Sequence, residues 1–255
     1  MIYLRESSNP SHLLSDMDNV DEVLPLPAWK RTLDLTFCFL CLPILGLMTL
    51  GAAIIMKLTS PGPIFFTQER VGLRGKRFKI YKFRSMKVSA ETDSHQQHLK
   101  ELIHSRAPML KLDTKKDNRM IPGAKFLRAT GLDELPQVIN ILRGEMSLVG
   151  PRPCIPYEYE EYSAQQRHRF AATPGLTGLW QVSGKNRTTF DQMIALDIRY
   201  AHEKSLWLDL KIIVMTPIAL LQQIGDTFLA RPKPTAASPA PVARPAKKRT
   251  KIASR

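Results

Sequence analysis

The feature that most constrains the fold is an uncharged run of 22 residues at positions 35–56. As a helix it would be about 33 Å long, enough to cross the hydrocarbon core of a bilayer. Length alone therefore favours a helix that spans the membrane once. Pro43 lies inside the run, however, and a proline that removes an internal hydrogen bond predicts a kink.

Basic residues flank this run on both sides, and basic flanks favour the cytoplasmic face of a membrane. They are Lys30 and Arg31 before it, and Lys57, Arg70, Arg74, Lys76, Arg77 and Lys79 after it. We therefore predict a re-entrant helix over residues 29–57 that enters the bilayer, bends and returns. Asp34, at its start, is expected to stay at the headgroup level or to pair with Arg31.

A second apolar stretch, at residues 205–221, is interrupted by charge. Asp209 and Lys211 follow Trp207 closely, which makes this stretch a poor candidate for a second membrane span. Tryptophan and lysine at the headgroup level are typical of a helix that lies in the membrane interface. We predict an interfacial helix here.

Two adjacent carboxylates, Asp133 and Glu134, form the most suggestive polar pair. Apolar residues recur from 135 to 142 with nearly helical spacing, so the pair is predicted to begin a helix over 134–142. Acidic residues are favoured in a first helical turn without any function. Their neighbours Arg128 and Arg152, the latter in a stiff Gly-Pro-Arg-Pro turn, favour a phosphate-handling site instead.

A β-hairpin is predicted between the membrane segment and the carboxylates. Residues 65–68 and 77–83 have the pattern of two strands joined by a turn with two glycines. The second strand leads into Lys82 and Arg84. These two side chains either belong to a solvated or headgroup-facing strand surface or contact phosphate, and the sequence alone leaves both interpretations open.

The second half of the chain is predicted to contain further helices. A charged helix is expected over residues 157–169, and another over 189–200. The segment between them is a glycine-bearing loop that ends in Lys185 and lacks the spacing of a phosphate-binding P-loop. Asp197 lies late in the last helix, where the dipole disfavours an acid. A salt bridge to Arg199 or Lys204 explains it simply, and a functional role is the alternative.

Charge and cysteine content bound the partners and the compartment. The net charge is +14, but residues 231–255 hold eight basic residues and no acid, which leaves 29 basic against 23 acidic residues, or +6, for residues 1–230. Such a basic Pro/Ala tail is predicted to be disordered and to adhere to anionic lipid. No zinc-finger, RNA-binding or basic-zipper motif favours nucleic acid.

The three cysteines suggest no disulfide framework and fit a reducing, cytoplasm-facing location.

Several linked motifs resemble those of the bacterial sugar transferase family over roughly residues 29–217. They are KRTLDL (30–35), SPGPIFFTQERVG (60–72), FKIYKFRSM (78–86), LDELPQ (132–137), MSLVGPRP (146–153), PGLTGLWQVSGKN (174–186) and LDIRYAHEKSLWLDLKII (196–213). The resemblance implies a monotopic phosphoglycosyl transferase that moves a sugar phosphate from a nucleotide sugar, expected to be a UDP-sugar, to a polyprenyl phosphate. Such a reaction initiates exopolysaccharide, capsule, O-antigen or glycoconjugate assembly at the bacterial inner membrane.

The resemblance also implies roles for individual residues. Asp133 would be the nucleophile that carries the sugar phosphate covalently, and Glu134 would bind Mg²⁺. Arg128 and Arg152 would bind phosphate, Lys82 and Arg84 lie in a family motif, Asp197 matches a family acid, and Lys185 occupies a position near which the family often has arginine. The nucleoside monophosphate would leave first, giving ping-pong kinetics.

The predicted fold is α+β and mainly helical, with a short β-hairpin, a kinked re-entrant helix and interfacial amphipathic helices. Its parts are a polar leader (1–28), the re-entrant helix (29–57), a catalytic domain on the cytoplasmic face (58–230) and the basic tail (231–255). The chain resembles a small catalytic form of the family, and a homo-oligomer is possible. A polar segment over 88–124 with His95, His98 and His104 is expected to include an amphipathic surface helix and could act as a lid.

Three other functions fit parts of the pattern. A membrane-anchored basic scaffold explains the charge and the apolar run but not the two acids beside fixed arginines. A polytopic sugar-phosphate transferase needs many membrane spans. An ordinary soluble glycosyltransferase would release a nucleoside diphosphate instead of a monophosphate, so the nucleotide product distinguishes it.

Overall fold

The computed structural model describes residues 26–59, 62–86 and 120–228. The leader up to residue 25, the segment with His95, His98 and His104, and the basic tail lie outside these ranges, and what was expected of them stays a prediction, as does the division into four parts. The described residues form a mostly helical fold with two small two-stranded sheets. The predicted fold class is confirmed at that level.

The apolar run forms one long helix, α1 (Ala28–Thr59), with Pro43 inside it. Its buried positions recur every seven or four residues and therefore share one face. They are Cys38, Leu45, Ala52 and Met56, and they belong to the same buried cluster as residues between Ile80 and Met146. The helix is assigned continuously through the proline, so the predicted bend and return stay predictions.

The opposite face of α1 is an apolar surface. Its large side chains expose half or more of their area: Phe39, Leu40, Ile44, Leu47, Leu50, Ile54, Ile55 and Leu58. A contiguous exposed apolar surface of this kind marks contact with a membrane or a partner.

The predicted hairpin is confirmed. Strands β1 (Phe65–Val71) and β2 (Arg77–Phe83) pair antiparallel, and β1 extends three residues beyond its predicted end. The turn is a short 3₁₀ helix, Leu73–Gly75. Gly75 has φ +76°, and a Cβ there would lie 2.8 Å from the hydroxyl oxygen of Tyr159. Glycine is thus required both by the backbone conformation and by the close approach of the tyrosine.

The carboxylate segment differs from its prediction. Helix α2 (Ala124–Thr130) is followed by a 3₁₀ helix, Leu132–Gln137, and only then by α3 (Val138–Leu142). The single helix predicted over 134–142 is therefore wrong in its first half. Pro136 explains this, because proline lacks a donor and disfavours α conformation in the preceding residue. Strand β3 (Ser147–Val149) follows.

The second half of the described chain consists of shorter elements followed by two long helices. They are α4 (Pro156–Glu160), α5 (Ala164–Arg167), a 3₁₀ helix (His168–Ala171), β4 (Gly175–Thr177), α6 (Leu179–Val182), a 3₁₀ helix (Lys185–Arg187), α7 (Phe190–Glu203) and α8 (Leu206–Phe228). β4 pairs parallel with β3.

The continuous helix predicted over 157–169 is wrong. The Ser163 hydroxyl accepts a hydrogen bond from the amide of Gln166, and the Gln166 side chain accepts one from the amide of Ser163. This capping box begins a new helix and so breaks the old one. The segment predicted as a loop after residue 175 contains β4 and α6.

The two long C-terminal helices fit their predictions more closely. α7 is capped by Thr189 and Gln192 in a second capping box. α8 is a single helix of 23 residues that extends seven residues past its predicted end. Both α1 and α8 are long and apolar enough to cross a membrane by length and composition.

The N-terminal end of α1 is fixed to the domain by a buried ion pair. The Lys30 ammonium donates to the Asp209 carboxylate (2.6 Å), the Tyr200 hydroxyl (2.9 Å) and the Val149 carbonyl (2.8 Å). The Tyr200 hydroxyl in turn donates to Asp209 (2.7 Å). These contacts join α1, β3, α7 and α8 at one point, and the charge in α8 that argued against a membrane span is neutralised inside the protein.

The predicted environment of Asp34 is wrong. Asp34 is fully buried and accepts hydrogen bonds from the Ser147 hydroxyl (2.9 Å) and the Leu148 amide (2.8 Å). Arg31 instead donates to the carbonyls of Ile141 and Leu142 at the end of α3. Both side chains bind backbone groups of the domain, because the end of a helix and the edge of a strand offer polar groups without partners.

Breaking the Lys30–Asp209 pair should destabilise the fold strongly. Lys30→Met leaves a buried carboxylate without its cation, and we expect the free energy of unfolding to fall by about 3–5 kcal/mol. Thermal and denaturant unfolding in detergent measure the change. The control Arg199→Met removes the more exposed pair with Glu203 and should cost no more than about 1 kcal/mol. Equal effects of the two substitutions would contradict this account of the anchor.

Candidate active site

The two adjacent carboxylates lie on the 3₁₀ helix Leu132–Gln137. Gly131 precedes it in the left-handed conformation (φ 71°, ψ 7°), and the Glu134 amide donates to the Gly131 carbonyl. Gly131 is therefore the one residue between the end of α2 and the start of the 3₁₀ helix that carries the carboxylates. The Asp133 side chain ends up buried, at 9% exposure, so the candidate nucleophile is largely shielded from bulk water.

Glu134 forms an ion pair with Lys82 of β2, and the Nζ–Oε1 distance is 2.9 Å. Both side chains are partly exposed, so solvent or a ligand can reach the pair. The structure therefore brings together two predicted site residues from distant parts of the sequence. Lys82 is held by the carboxylate next to Asp133, and phosphate contact by Lys82 stays a prediction.

Arg84 and Arg128, the other two arginines predicted to bind phosphate in the first half of the site, lie on different elements. Arg84 follows β2, is buried, and donates its amide to the Ile64 carbonyl (2.9 Å). Arg128 lies in the last turn of α2, and its carbonyl accepts a hydrogen bond from Gln223 of α8 (3.1 Å). Arg84 stands two residues after Lys82, just beyond the end of β2. Phosphate binding by these two arginines stays a prediction.

Arg152 lies on the Gly-Pro-Arg-Pro turn that follows β3, and this turn requires its glycine. A Cβ at Gly150 would lie 2.2 Å from the Thr173 carbonyl oxygen. The Arg152 guanidinium donates to both carboxylate oxygens of Glu158 at 3.1 Å, and its amide donates to Asp197 at 3.3 Å. Both the backbone and the side chain of Arg152 are therefore fixed.

A buried polar cluster of Glu158, Tyr162, Arg169 and Asp197 holds this turn. The Arg169 guanidinium donates to the Tyr162 hydroxyl, to Asp197 and to the Arg152 carbonyl. The Tyr162 hydroxyl donates to Glu158. Burial alone would raise the pKa of Glu158, but Arg152 and Arg169 lower it below its ordinary value. The cluster thus keeps a charged carboxylate beneath the arginine turn.

The predicted salt bridge of Asp197 is corrected by these contacts. Asp197 pairs with Arg169, whereas Arg199 binds Glu203 and Lys204 donates to the Ala171 carbonyl. Arg199 and Lys204 were the simplest predicted partners because they are close in sequence. Asp197, however, faces the interior of the fold, whereas Arg199 and Lys204 face outward. Its observed contacts assign Asp197 to positioning the Arg152 turn.

Lys185 lies on the 3₁₀ helix Lys185–Arg187 after Gly184, with φ 28°. Its carbonyl accepts a hydrogen bond from the Thr188 hydroxyl (2.8 Å), which also accepts one from the Trp180 indole (2.7 Å). These contacts fix the backbone of the turn. A role of the Lys185 side chain in substrate binding stays a prediction.

Sequence reasoning missed Arg70, which is buried at the end of β1. Its guanidinium donates to the Gln68 side chain (2.7 Å) and to the Pro153 carbonyl (3.3 Å). Burial and the neighbouring Arg152 lower the pKa of Arg70 to about 10, while Glu158 and Glu134 act in the opposite direction. Arg70 therefore connects the arginine turn with the carboxylate pair. The quoted QERVG motif contained it, but nothing local distinguished it from other strand arginines.

Two other chemistries, a cysteine nucleophile and a metal site, can be judged from the described residues. Burial raises the pKa of the Cys154 thiol to about 12, so Cys154 stays protonated and is no nucleophile at neutral pH. Within residues 26–59, 62–86 and 120–228 no three histidine, cysteine or acidic side chains are grouped to hold a metal. A magnesium ion bound through Glu134 would need oxygens of substrate phosphates and water to complete its shell, which is its usual arrangement.

Replacing Glu158 should weaken the fold and change its response to acid. Because the pKa of Glu158 is lowered, its stabilisation is complete above its ordinary pKa of about 4.3 and is lost as the pH falls below it. Glu158→Gln should therefore be less stable at pH 7 and lose less stability between pH 6 and 3. Denaturant unfolding across this range measures both. Glu160→Gln, an exposed position on the same helix, is the control, and a Glu158→Gln curve that matches it would refute the role of the cluster.

The chain resembles known proteins over most of its described length. The model of the bacterial sugar transferase family matches residues 26–223. The chain is 43% identical to galactosyl transferase CpsE of Streptococcus agalactiae over 77% of this chain and 43% of that protein. It is 38% identical to undecaprenyl-phosphate galactose phosphotransferase of Salmonella typhimurium over 77% of this chain and 41% of that protein. Both relatives are thus more than twice as long as the matched part.

A third relative is covered more completely. The UDP-glucose:undecaprenyl-phosphate glucose-1-phosphate transferase of Caulobacter vibrioides is 40% identical over 75% of this chain and 69% of its own length. The matched region includes α1, the hairpin, the carboxylate pair and the arginine turn. With the family model covering well over half of the residues, the chain belongs to the bacterial sugar transferase family.

Proposed function

We propose that the protein transfers a sugar 1-phosphate from a UDP-sugar to a polyprenyl phosphate and releases the nucleoside monophosphate. The printed names of the relatives specify galactose or glucose phosphotransferases acting on undecaprenyl phosphate. The observation on this chain that best supports the proposal is the buried Asp133 beside the Lys82–Glu134 pair. The lipid-linked sugar formed in this reaction would initiate the assembly of an exopolysaccharide, a capsule or a related glycoconjugate.

The proposed reaction has two steps at Asp133. A carboxylate oxygen attacks the phosphorus that bears the sugar, and the bond from this phosphorus to the bridging oxygen of the diphosphate breaks. The nucleoside monophosphate leaves, and the sugar phosphate is held as an acyl phosphate. An oxygen of the lipid phosphate then attacks the same phosphorus and frees the carboxylate. The product is a sugar diphosphate lipid.

The surrounding side chains fit this chemistry. An anionic nucleophile attacking an anionic diphosphate needs nearby positive charge, and the site offers Lys82 with Arg84, Arg128 and Arg152 as candidates. Burial of Asp133 strengthens these interactions and limits hydrolysis of the acyl phosphate by water. The Arg152 turn is held rigidly by the buried cluster, so its guanidinium needs no reordering when substrate binds.

Mg²⁺ is the proposed cofactor, with Glu134 as a protein ligand. A carboxylate has acceptor positions on both oxygens, so the bond to Lys82 leaves this ligand role chemically possible. A bound magnesium ion would offset the charge of the diphosphate and polarise its oxygens. Lys82 would then keep Glu134 oriented toward the substrate.

The proposed location is the inner membrane, with the catalytic part on the cytoplasmic face. Lys30 near the start of α1 and Met56 near its end both pack into the described domain. A helix held by the same domain along its length leaves only its outward face for lipid. This supports a re-entrant or interfacial position and disfavours a helix that separates the domain from its own N-terminus by a full bilayer.

Labelling of single cysteines tests this location. In a chain with the three native cysteines replaced by alanine, Pro27→Cys and Lys76→Cys lie before and after α1. We expect both to react with an impermeant maleimide from the cytoplasmic side only, in inside-out vesicles and not in intact spheroplasts. Reaction from opposite sides would establish a spanning helix.

Substitution of Asp133 tests the covalent step. Asp133→Asn should abolish nucleoside monophosphate release, with a loss of at least about 10³-fold, the scale seen when an enzyme loses its nucleophile. Intact-mass analysis of wild-type protein incubated with UDP-glucose or UDP-galactose should show the added mass of a hexose phosphate, absent from the variant.

The controls separate this mechanism from its rivals. Asp191→Asn, an exposed acid in the first turn of α7, should keep wild-type activity and the adduct. Glu134→Gln should weaken the dependence on Mg²⁺ along with activity. A wild-type enzyme that turns over without an adduct would rule out the covalent step, and release of a nucleoside diphosphate would indicate an ordinary glycosyltransferase.

A further inference from the structure

An apolar groove of about 490 Å³ runs along one side of α1, next to the carboxylate pair. It is lined by Leu42, Leu45, Gly46, Thr49, Leu50, Ala53, Phe65, Pro136 and Ile139. Among the described residues of this lining, Thr49 has the single polar side chain, and its hydroxyl donates to the Leu45 carbonyl at 2.7 Å. The groove therefore offers an apolar surface of the size used for binding small molecules.

The domain wall of this groove belongs to the elements that carry the site. Pro136 lies on the same 3₁₀ helix as Asp133 and two residues after Glu134. Phe65 begins β1, whose next residue, Phe66, pairs with Lys82. Through Pro136 the groove is bordered by the 3₁₀ helix that carries Asp133. Phe65 lies on the face of the hairpin opposite to Phe66 and Lys82.

The helix wall of the groove faces outward. Leu42 and Leu50 of α1 are 39% and 61% exposed, and they lie on the surface that we assign to the bilayer. A hydrocarbon chain could therefore enter the groove from the membrane without crossing water. The groove therefore extends from the exposed side of α1 to Pro136, on the 3₁₀ helix that carries Asp133.

We propose that this groove binds the phosphate-proximal part of the isoprenoid chain of the acceptor. The inference rests on the proposed function, because it assumes a polyprenyl phosphate that reacts at Asp133. The reacting phosphate is bonded directly to the chain, so the first isoprene units must lie beside the carboxylate pair. Burial of those units contributes to affinity in proportion to the apolar area removed from water.

A second groove on the other side of α1 provides an internal control. It measures about 280 Å³ and is lined by residues of α1, including Gly51, and by residues of α2 and the turn before it, including Phe126. Its lining contains no residue of the 3₁₀ helix that carries Asp133. An occupant recognised only as hydrocarbon would use both grooves, whereas the acceptor should use the first.

Two glycines allow the grooves to be filled separately. A Cβ added at Gly46, in the first groove, or at Gly51, in the second, meets nothing within 4 Å. Both lie inside α1, where leucine favours the helix more than glycine does. Gly46→Leu and Gly51→Leu are therefore matched substitutions that add the same bulk to different grooves, each with room for the added Cβ.

Steady-state kinetics in lipid nanodiscs test the proposal. Gly46→Leu should raise the KM for a long-chain polyprenyl phosphate about tenfold, the factor expected when roughly two methylene groups lose their burial. The KM for the UDP-sugar and the yield of the hexose phosphate adduct should not change. Gly51→Leu should leave all three within about twofold. A two-isoprene acceptor, too short to fill the groove, should show a much smaller difference.

Photolabelling separates this proposal from the proposed function. A polyprenyl phosphate with a photoreactive group in its first isoprene units should label the peptide that contains Pro136 in wild type and in Gly51→Leu, and far less in Gly46→Leu. Labelling of this peptide with no sugar-phosphate transfer would support the groove and refute the function. If Gly46→Leu transfers sugar phosphate with an unchanged KM for the polyprenyl phosphate, or if the label appears near Phe126 instead, the proposed role of the groove is refuted and the proposed function is not.

Discussion

The buried contact between Lys30 and Asp209 is the interaction on which the rest of the structure depends. It places an ammonium and a carboxylate in the interior beside Tyr200 and the Val149 carbonyl, where α1, β3, α7 and α8 meet. A charge buried without its partner costs several kcal/mol, so the start of the apolar helix has essentially one position available to it. Asp34, one turn later, adds two hydrogen bonds to the edge of β3. From there α1 follows the domain, and its outer face is left for lipid.

A second polar cluster performs the same task for the site. Arg169, fully buried, binds Asp197, Tyr162 and the Arg152 carbonyl, and Glu158 holds the Arg152 guanidinium with both oxygens. These groups lie beneath the arginine turn. Their contacts position Arg152, and rigid arginine placement is what recognition of a diphosphate requires. Arg70 extends this arrangement toward the carboxylate pair through the Pro153 carbonyl.

The two clusters divide the molecule into a polar interior that orders the site and an apolar exterior that meets the membrane. The carboxylate pair lies at their boundary, on a 3₁₀ helix with a buried polar side chain at Asp133 and an apolar groove wall at Pro136. Under the proposed function a nucleotide sugar would arrive from water and a polyprenyl phosphate from lipid, and a site at such a boundary would be accessible to both. This arrangement explains physically why a phosphate-transfer site would be built against an apolar helix.

The sequence by itself determined the elements whose signals are local. The apolar run of α1, the hairpin with its glycine turn, α7 with its Thr189 cap, and the adjacency of Asp133 and Glu134 follow from periodicity, turn residues and position. Tertiary structure alone decided the partners of the charged residues. Asp34 binds the Leu148 amide 114 positions away, Asp197 binds Arg169 28 positions away, and Asp209 binds Lys30 179 positions away. Pro136 converted a predicted α-helical start into a 3₁₀ turn. Desolvation explains the difference, because a buried charge binds whichever compensating group the fold brings within reach, and sequence spacing does not encode that distance.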